Sequence, residues 1–561
     1  VTVCWPDLPV RKNRFFQMNV LWIMVDQLRW DYLSCYGARH IETPNLDWLA
    51  QQGMRFNKAY VQSPICGPSR MSFYTGRYTR SHGSTANGAP LRVGEPTLGD
   101  HLRESDVHCA LVGKTHMAAD RVGMQRLGIQ PDSMIGALVS ECGFEVFVRD
   151  DGENPTANPG RRSDDYENFL RQNGLDGGEN LWEEWANTGV TPEGRFVSGW
   201  MLENAPYPAR VPREFSETAW LTTRAIDFMN SRQSPEKRDQ PWLCHLSYIK
   251  PHWPYLAPAP YNDMYSADEL PAVNRSQSEQ QSDHPLLQEW MGMRISKTFS
   301  REEIRNTVGP VYMGLIKELD DQMGRLFAYL RESGRLEDTM IVFCSDHGDN
   351  MGDHWLGEKD MFYDCSARMP LLIYDPRSQA DATRGTVSDA LVEAIDLAPS
   401  FVEYFGGAPR PHILEGRSLI PLLHGQQPDW RDFCVSEYDY ATREPRVQLG
   451  VDQADARLVM IYDGRWKLVH VEGMRPLLYD LQTDPQELQE LGSDPSYAAE
   501  IDRLQGFHFQ WARRHHTRLT RDAAMIDRLA ERGAPPGVMI GYVNRAEAEE
   551  EGRIFPDHVD S

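Results

Sequence analysis

The stretch TMIVFCSDHGD, residues 339–349, decides the fold class. Its first six residues are almost all apolar at consecutive positions, which is how a strand covered on both faces of a parallel sheet reads. The run then stops abruptly at Ser345-Asp346-His347-Gly348-Asp349. The same pattern recurs in NVLWIMVDQ (19–27), HCALVGKTH (108–116), PWLCHLSYIKPH (241–252) and MPLLIYD (369–375). Helical stretches lie between these runs. SETAWLTTRAIDFMNS (216–231) carries a serine N-cap and places Leu221, Ala225 and Phe228 on one face. Residues 308–333, VGPVYMGLIKELDDQMGRLFAYLRES, form a longer one. Alternating strands and helices predict an α/β sandwich with a large, mostly parallel sheet between helices.

Polar residues cluster just after the strand runs: Asp26-Gln27, Lys114, His116, His252 and Asp346-His347. In open α/β sheets ligands bind beyond the carboxyl ends of the strands, so these segments are expected to share one rim. Asp26, Gln27, Asp346 and His347 offer oxygen ligands and one imidazole, a set for a divalent cation. Manganese is favoured over calcium, which prefers all-oxygen sites. Arg70, Lys114 and Lys359 are candidates to grip a tetrahedral oxyanion, the arginine bidentately. His116 and His252 are candidate proton carriers, although the two prolines of KPHWPY suit a structural His252 equally well. His82 and His354 read as structural.

The 561 residues are enough for a large core and an additional subdomain. Acidic residues outnumber basic ones by 82 to 58, a formal charge of -24, which argues against a nucleic-acid partner. A few local cations would still serve a small anionic substrate. No apolar run reaches transmembrane length. The first residues lack the apolar core of a signal peptide, Met18 reads as a start, and 1–17 as an N-terminal extension. Nine scattered cysteines without a CxxC pair predict neither a disulfide framework nor a zinc finger. Cys109, Cys244 and Cys344 sit in apolar runs as small hydrophobes, and a cytoplasmic location is expected. The α/β unit is expected over 18–430. Polar, tryptophan-containing insertions interrupt it at about 145–215, a candidate lid, and about 256–305. Alternating runs around an Asp463-Gly464 turn predict a small antiparallel α+β subdomain over 431–495. Residues 496–561 are expected as a helical tail, with Ile501, Leu504, His508 and Trp511 on one side, that contacts another copy in a homo-oligomer.

One cysteine has neither an aliphatic setting nor a partner. In SPICGPSRMSFYTGR (63–77), Cys66 is followed by Pro68, Ser69 and Arg70, then by Thr75-Gly76-Arg77. CGPSR followed by TGR resembles the C-x-P-S/A-R signature of type I sulfatases, the formylglycine-dependent arylsulfatases of the alkaline phosphatase superfamily. VDQ, GKTH, KPHWPY, SDHGD, Lys359 before MFYD, and LLYDLQTDPQE follow the order of that family over roughly 18–495. The resemblance implies that Cys66 is the precursor of formylglycine, made by a formylglycine-generating enzyme, and that Cys66 joins the metal site. It implies hydrolysis of sulfate monoesters by S–O cleavage, with the formylglycine hydrate as nucleophile. The metal, Lys359 and His252 would then neutralise the sulfuryl oxygens, and His252 or Lys359 would assist the leaving oxygen. Arg70 would hold the site, and His116 would take the proton that lets the hemiacetal collapse to aldehyde and sulfate.

The chain departs from common sulfatases, which carry Asp-Asp and Asp-Asn where it has Asp26-Gln27 and Asp346-His347. That combination is similar to the phosphonate monoester hydrolases and phosphodiesterases, which share the nucleophile and tend to use manganese. Asn87, in STANG, matches an active-site asparagine of that group. Lys114 and His116 are the sulfatase form, where that group has Tyr and Thr. Sulfate monoesters and phosphonate monoesters carry the same single charge, so charge does not separate them, and activity on both is expected. Sulfate ester hydrolysis is the first expectation and phosphonate monoester or phosphodiester hydrolysis the alternative. A non-catalytic binding relative with an unconverted Cys66 is a third reading. The leaving group (aryl, alkyl, choline or sugar) is not specified.

Overall fold

The computed structural model describes residues 18–152, 165–514, 519–531, 542–550 and 552. The expected extension at 1–17 and much of the tail beyond 530 lie outside the described residues. In chain order the strands are β1 (Asn19–Asp26), β2 (Met54–Tyr60), β3 (His108–Gly113), β4 (Glu145–Arg149), β5 (Thr188–Val190), β6 (Phe196–Ser198), β7 (Trp242–Pro251), β8 (Thr339–Ser345), β9 (Leu371–Tyr374), β10 (Thr386–Glu393), β11 (Cys434–Asp439), β12 (Arg457–Tyr462), β13 (Trp466–Val471) and β14 (Leu477–Asp480). Eight of them form one sheet in the order β10-β2-β9-β8-β1-β7-β3-β4.

β1 shows why the central runs are continuously apolar. Side chains alternate between faces along a strand. Leu21, Ile23 and Val25 enter one core with Phe228, Leu319 and Met323 from the helices Glu217–Ser231 and Glu302–Glu332. Val20, Trp22 and Met24 enter the other with Phe73, Tyr74 and Phe401. Both faces are dry, so no position is left for a polar residue until the strand ends.

Three expectations are revised. MPLLIYD supplies β9, which runs antiparallel to both β2 and β8: a continuous apolar run reports burial on two faces, not strand direction. The stretch from 145, expected as an insertion, begins with β4, which pairs parallel with β3 at the sheet edge. The long helix begins at Glu302 rather than 308 and carries Pro310 inside it. Burial of Val308, Pro310 and Val311 in the core offsets the missing backbone donor. Ser216 caps its helix as expected, accepting from Ala219 N.

The strands β11-β12-β13-β14 form a second, antiparallel sheet. The helix Ala498–Ala512 packs Leu504 and Trp511 onto one of its faces. The other face closes a third core against Tyr60, Leu286, Trp290 and Phe362. A buried polar network crosses this junction: Lys467 Nζ reaches Asp364 (2.7 Å) and Glu487 (2.6 Å), and Tyr60 donates to Asp364 (2.8 Å). Among the described residues no helix is long and apolar enough to cross a membrane.

Candidate active site

β2, β8, β1, β7 and β3 all deliver their C-terminal ends to one rim. β1 ends at Asp26, β3 leads to Lys114, β7 to His252 and β8 to Asp346. After β2 the chain crosses to the helix Cys66–Thr75, with Cys66 as its first residue. Pro68 lies in the first helical turn, where a missing N–H costs nothing. Two glycines permit the close packing. A Cβ at Gly113 (φ +108°) would lie 2.0 Å from the Ser247 carbonyl oxygen, and one at Gly348 would lie 1.9 Å from that of Cys365.

Asp26, Cys66, Asp346 and His347 are buried, and their ligand atoms all lie within 4.8 Å of one another. Cys66 Sγ is 3.0 Å from His347 Nε2 and 3.3 Å from Lys359 Nζ. His347 Nδ1 lies 2.8 Å from the Gly348 carbonyl, which can only accept, so Nδ1 carries a proton and Nε2 faces the cluster. Metal-ligating histidines are held in this way. Two carboxylates, a sulfur and an oriented imidazole fit one divalent cation.

Arg70 ties the rim together and has no accessible surface. Its Nε donates to Asp346 Oδ2 (2.7 Å), Nη1 to Ser247 Oγ (2.8 Å) and the Lys114 carbonyl (3.0 Å), and Nη2 to Asp26 Oδ2 (3.1 Å). Lys114 Nζ is 2.7 Å from the same Asp26 oxygen. Burial and the neighbouring Cys66 push the Asp26 carboxyl up, but Lys114, His252 and Arg70 outweigh them and hold it well below the usual carboxylate range.

A cavity of about 440 Å³ opens over the cluster, lined by Cys66, Asn87, His116, His252 and Lys359 together with Tyr438, Asp360 and Arg443. Of the three cations expected to grip an oxyanion, Lys359 lines it. Arg70 and Lys114 are instead buried beneath it, spent on Asp26, Asp346 and strand-end groups. Lys359 Nζ also donates to Gln27 Oε1 (2.8 Å). Gln27 in turn donates its amide to Asp349, so its side chain is committed to Lys359 and Asp349. Burial disfavours the Lys359 ammonium, but Cys66, Glu358, Asp26 and Asp346 reverse this and raise its pKa. Burial alone raises the Cys66 thiol, while Lys359, His347 and hydrogen bonding with His116 and His252 drive it well below its ordinary value. Burial, relieved by Asp26 and reinforced by Lys359 and Lys114, lowers His252 to about 4. Its Nδ1 lies 2.7 Å from the Trp253 carbonyl, leaving Nε2 for the cavity.

Asn87 Oδ1 accepts from Gly67 N (2.8 Å), satisfying a free donor of the first helical turn. His116 takes a left-handed backbone (φ 56°), as do Gln27 (62°), Glu358 (57°) and Asp360 (99°). Such conformations gather where surroundings over-determine them. His116 N donates to Asp151 Oδ1 (3.1 Å). His82 bonds Ser72 Oγ (3.0 Å), and His354 pairs with Glu279 and stacks on Tyr363 at 3.6 Å, and neither lines the cavity over Cys66.

Sequence reasoning missed Ser247, Asp349, Asp151 and the wall formed by Tyr438 and Arg443. Asp349 stood inside SDHGD and could have been named. The others carry no local signal. Tyr438 donates to Asp360 Oδ1 (2.7 Å) and Arg443 pairs with Asp360, so the second sheet steadies the residue next to Lys359.

A rim of this composition on a mostly parallel sheet is that of an alkaline phosphatase superfamily hydrolase. The phosphonate monoester hydrolase of Silicibacter pomeroyi superposes with a TM-score of 0.76 at 29% identity, over 90% of this chain and 97% of that one. The Agrobacterium radiobacter phosphonate monoester hydrolase gives 0.75 at 29%, over 88% and 96%. In sequence, the multifunctional alkaline phosphatase superfamily protein PehA of Trinickia caryophylli is 33% identical over 89% of this chain and 96% of its own length. The Clostridium perfringens arylsulfatase is 29% identical over 87% and 92%. Residues 18–408 match the sulfatase family model, and 352–509 that of the N-sulphoglucosamine sulphohydrolase C-terminal region. The chain belongs to the sulfatase family and is a hydrolase.

Proposed function

We propose that the protein hydrolyses sulfate monoesters by S–O cleavage, using formylglycine made from Cys66 by a formylglycine-generating enzyme, and also accepts phosphonate monoesters or phosphate diesters. The observation that carries this is the position of Cys66: first residue of its helix, inside the Asp26, Asp346 and His347 cluster, and within reach of Lys359. A helix N-terminus favours negative charge at that position.

Asp26, Asp346, His347 and residue 66 would hold one divalent ion, manganese before calcium because of the imidazole. When present, the ion and the formylglycine hydrate supply an acidified hydroxyl nucleophile and neutralise charge at the ester. Lys359 would meet the ester oxygens with a charge that Glu358, Asp26 and Asp346 help to secure. It is also the better placed of the two candidates to steady the leaving oxygen, because His252, with a pKa near 4, is neutral at neutral pH and offers Nε2 as an acceptor. Asn87, whose Oδ1 is taken by Gly67 N, lines the same cavity and would offer its amide nitrogen to the ester. His116 lines the same cavity and would take the proton that releases the product from residue 66.

Lys114 and His116 together favour sulfate as the first substrate. Gln27, His347 and Asn87, with the likeness to PehA and to phosphonate monoester hydrolases, favour the second reading. The eight described cysteines are free thiols, which supports a cytoplasmic location. The homo-oligomer remains a proposal resting on the polar tail.

The test is kcat/KM for an aryl sulfate against an aryl phenylphosphonate, after reconstitution with manganese and then calcium, beside Cys66→Ala. A sulfate preference that disappears in the variant is expected. A phosphonate preference would invert the ranking, and equal rates in wild type and Cys66→Ala would remove the nucleophile.

A further inference from the structure

The cavity over Cys66 does not end at its own walls. A second cavity, of about 660 Å³, shares Trp253 and Glu358 with it. Trp253 follows His252, and their rings lie 4.3 Å apart. Its indole lies 5.8 Å from that of Trp200, which lies 5.9 Å from Trp182. Trp253 and Trp200 therefore continue from the reacting centre into the groove, and the buried Trp182 backs Trp200. The facing wall is Tyr255, Met293, Ile295 and Phe299, with Tyr255 and Phe299 in edge contact at 6.1 Å. Trp200 comes from the first expected insertion and Met293, Ile295 and Phe299 from the second, so these two stretches meet over the site.

The groove carries no excess of positive charge: Glu203, Glu358 and Glu444 stand against Arg294 and Arg301, and Arg301 is paired with Glu303 (3.2 Å). Met201 at the rim is 54% exposed, so apolar surface stays open to solvent there. An open, mostly apolar groove that is continuous with a reacting centre and slightly acidic disfavours an anionic tail and selects a neutral apolar group by area buried.

We infer that the groove between Trp200–Trp253 and Met293–Phe299 seats the leaving group, and that the substrate class is an ester of a neutral alcohol bearing an extended aromatic system of two rings or more. This rests on the ester hydrolysis proposed above. The charged head occupies the cavity of Lys359 and residue 66, and its ester oxygen faces His252. The organic group then passes along the Trp253 indole into the groove.

The experiment uses the full-length, manganese-loaded protein with conversion of residue 66 checked by peptide mass. It compares 2-naphthyl with phenyl esters, whose leaving groups are of similar acidity, in both the sulfate and phenylphosphonate series, with glucose 6-sulfate as a polar probe. In the faster series, wild type is expected to favour naphthyl by about tenfold in kcat/KM, the effect of burying one further ring. The ratio should fall towards one in Trp200→Ala. Because Trp200 also packs on Trp182, Met293→Glu on the opposite wall gives the same reading if the first variant folds poorly. A wild-type ratio near one, a ratio unchanged in both variants, or faster turnover of glucose 6-sulfate overturns the inference while leaving ester hydrolysis standing. No turnover of any ester by the converted, metal-loaded protein overturns both.

Discussion

Arg70 is the residue on which the rim depends. Four partners on or just after four different strands share one guanidinium, and a lysine cannot reproduce its planar fork. Arg70→Lys is expected to lower kcat/KM by about 100-fold or more and to destabilise the fold by roughly 3 kcal/mol, because Asp26 and Asp346 lose paired donors in a dry setting. Denaturant unfolding and steady-state kinetics check the two effects separately. Lys359 touches the cavity itself. Lys359→Gln is expected to lose about 100-fold in kcat/KM, with a larger loss for esters of more basic alcohols, since its charge would steady the leaving oxygen. A loss independent of leaving-group acidity would assign that role elsewhere. At this scale the sequence was legible where residues follow strand ends. Cys66, Asp26, Asp346, His347, His252 and Lys359 could all be named because apolar runs stop beside them or motifs surround them. The burial of Arg70 and Lys114 could not, since a charged residue in a sequence does not reveal how many acceptors the fold will bring to it.

Among the elements, two buried networks set stability. Lys467 on β13 holds Asp364 and Glu487 at the junction between the sheets. Lys467→Met leaves Glu487 without this cation and Asp364 with the longer Arg368 contact (3.4 Å), and is expected to cost about 3–5 kcal/mol in denaturant unfolding. The second network lies between the helices Glu217–Ser231 and Glu302–Glu332. Burial there pushes the Glu318 carboxyl up to about 7, with Ser216 and Lys250 opposing and Glu217 adding to the shift. A folded pKa above the ordinary 4.5 means that Glu318 contributes its stability fully below about 4.5 and loses it as pH rises through 7. Glu318→Gln, which stays neutral and can still accept from Ser216, should match wild type near pH 4.5 and melt higher above pH 7. Melting curves across that range decide it. The helices and central strands were legible from their periodicity. Strand β2 and the edge strand β10 were not, because their mixed burial dilutes the apolar pattern, and the direction of β9 was not, because burial on two faces looks the same whichever way a strand runs.

Across the whole molecule, the second sheet completes the site. Tyr438 and Arg443 hold Asp360, whose left-handed backbone follows directly after Lys359. Removing both contacts in Tyr438→Phe/Arg443→Ala should free that turn. Expected is about a tenfold or greater fall in kcat/KM with metal content unchanged, since none of the four ligand residues is touched. Metal analysis alongside kinetics separates this from collapse of the metal cluster.

The sequence by itself determined the α/β class, the rim, the cysteine placed at it and the family, because strand-end chemistry and the CGPSR motif are local in the chain. Tertiary structure alone decided which cations face the cavity and which are consumed beneath it. It also decided that Gln27 is tied to Lys359 and that the second sheet and both interrupting stretches form the walls. Those outcomes depend on contacts between residues tens to hundreds of positions apart, and side-chain burial and hydrogen-bond supply at such contacts are set by packing rather than by neighbours in the chain.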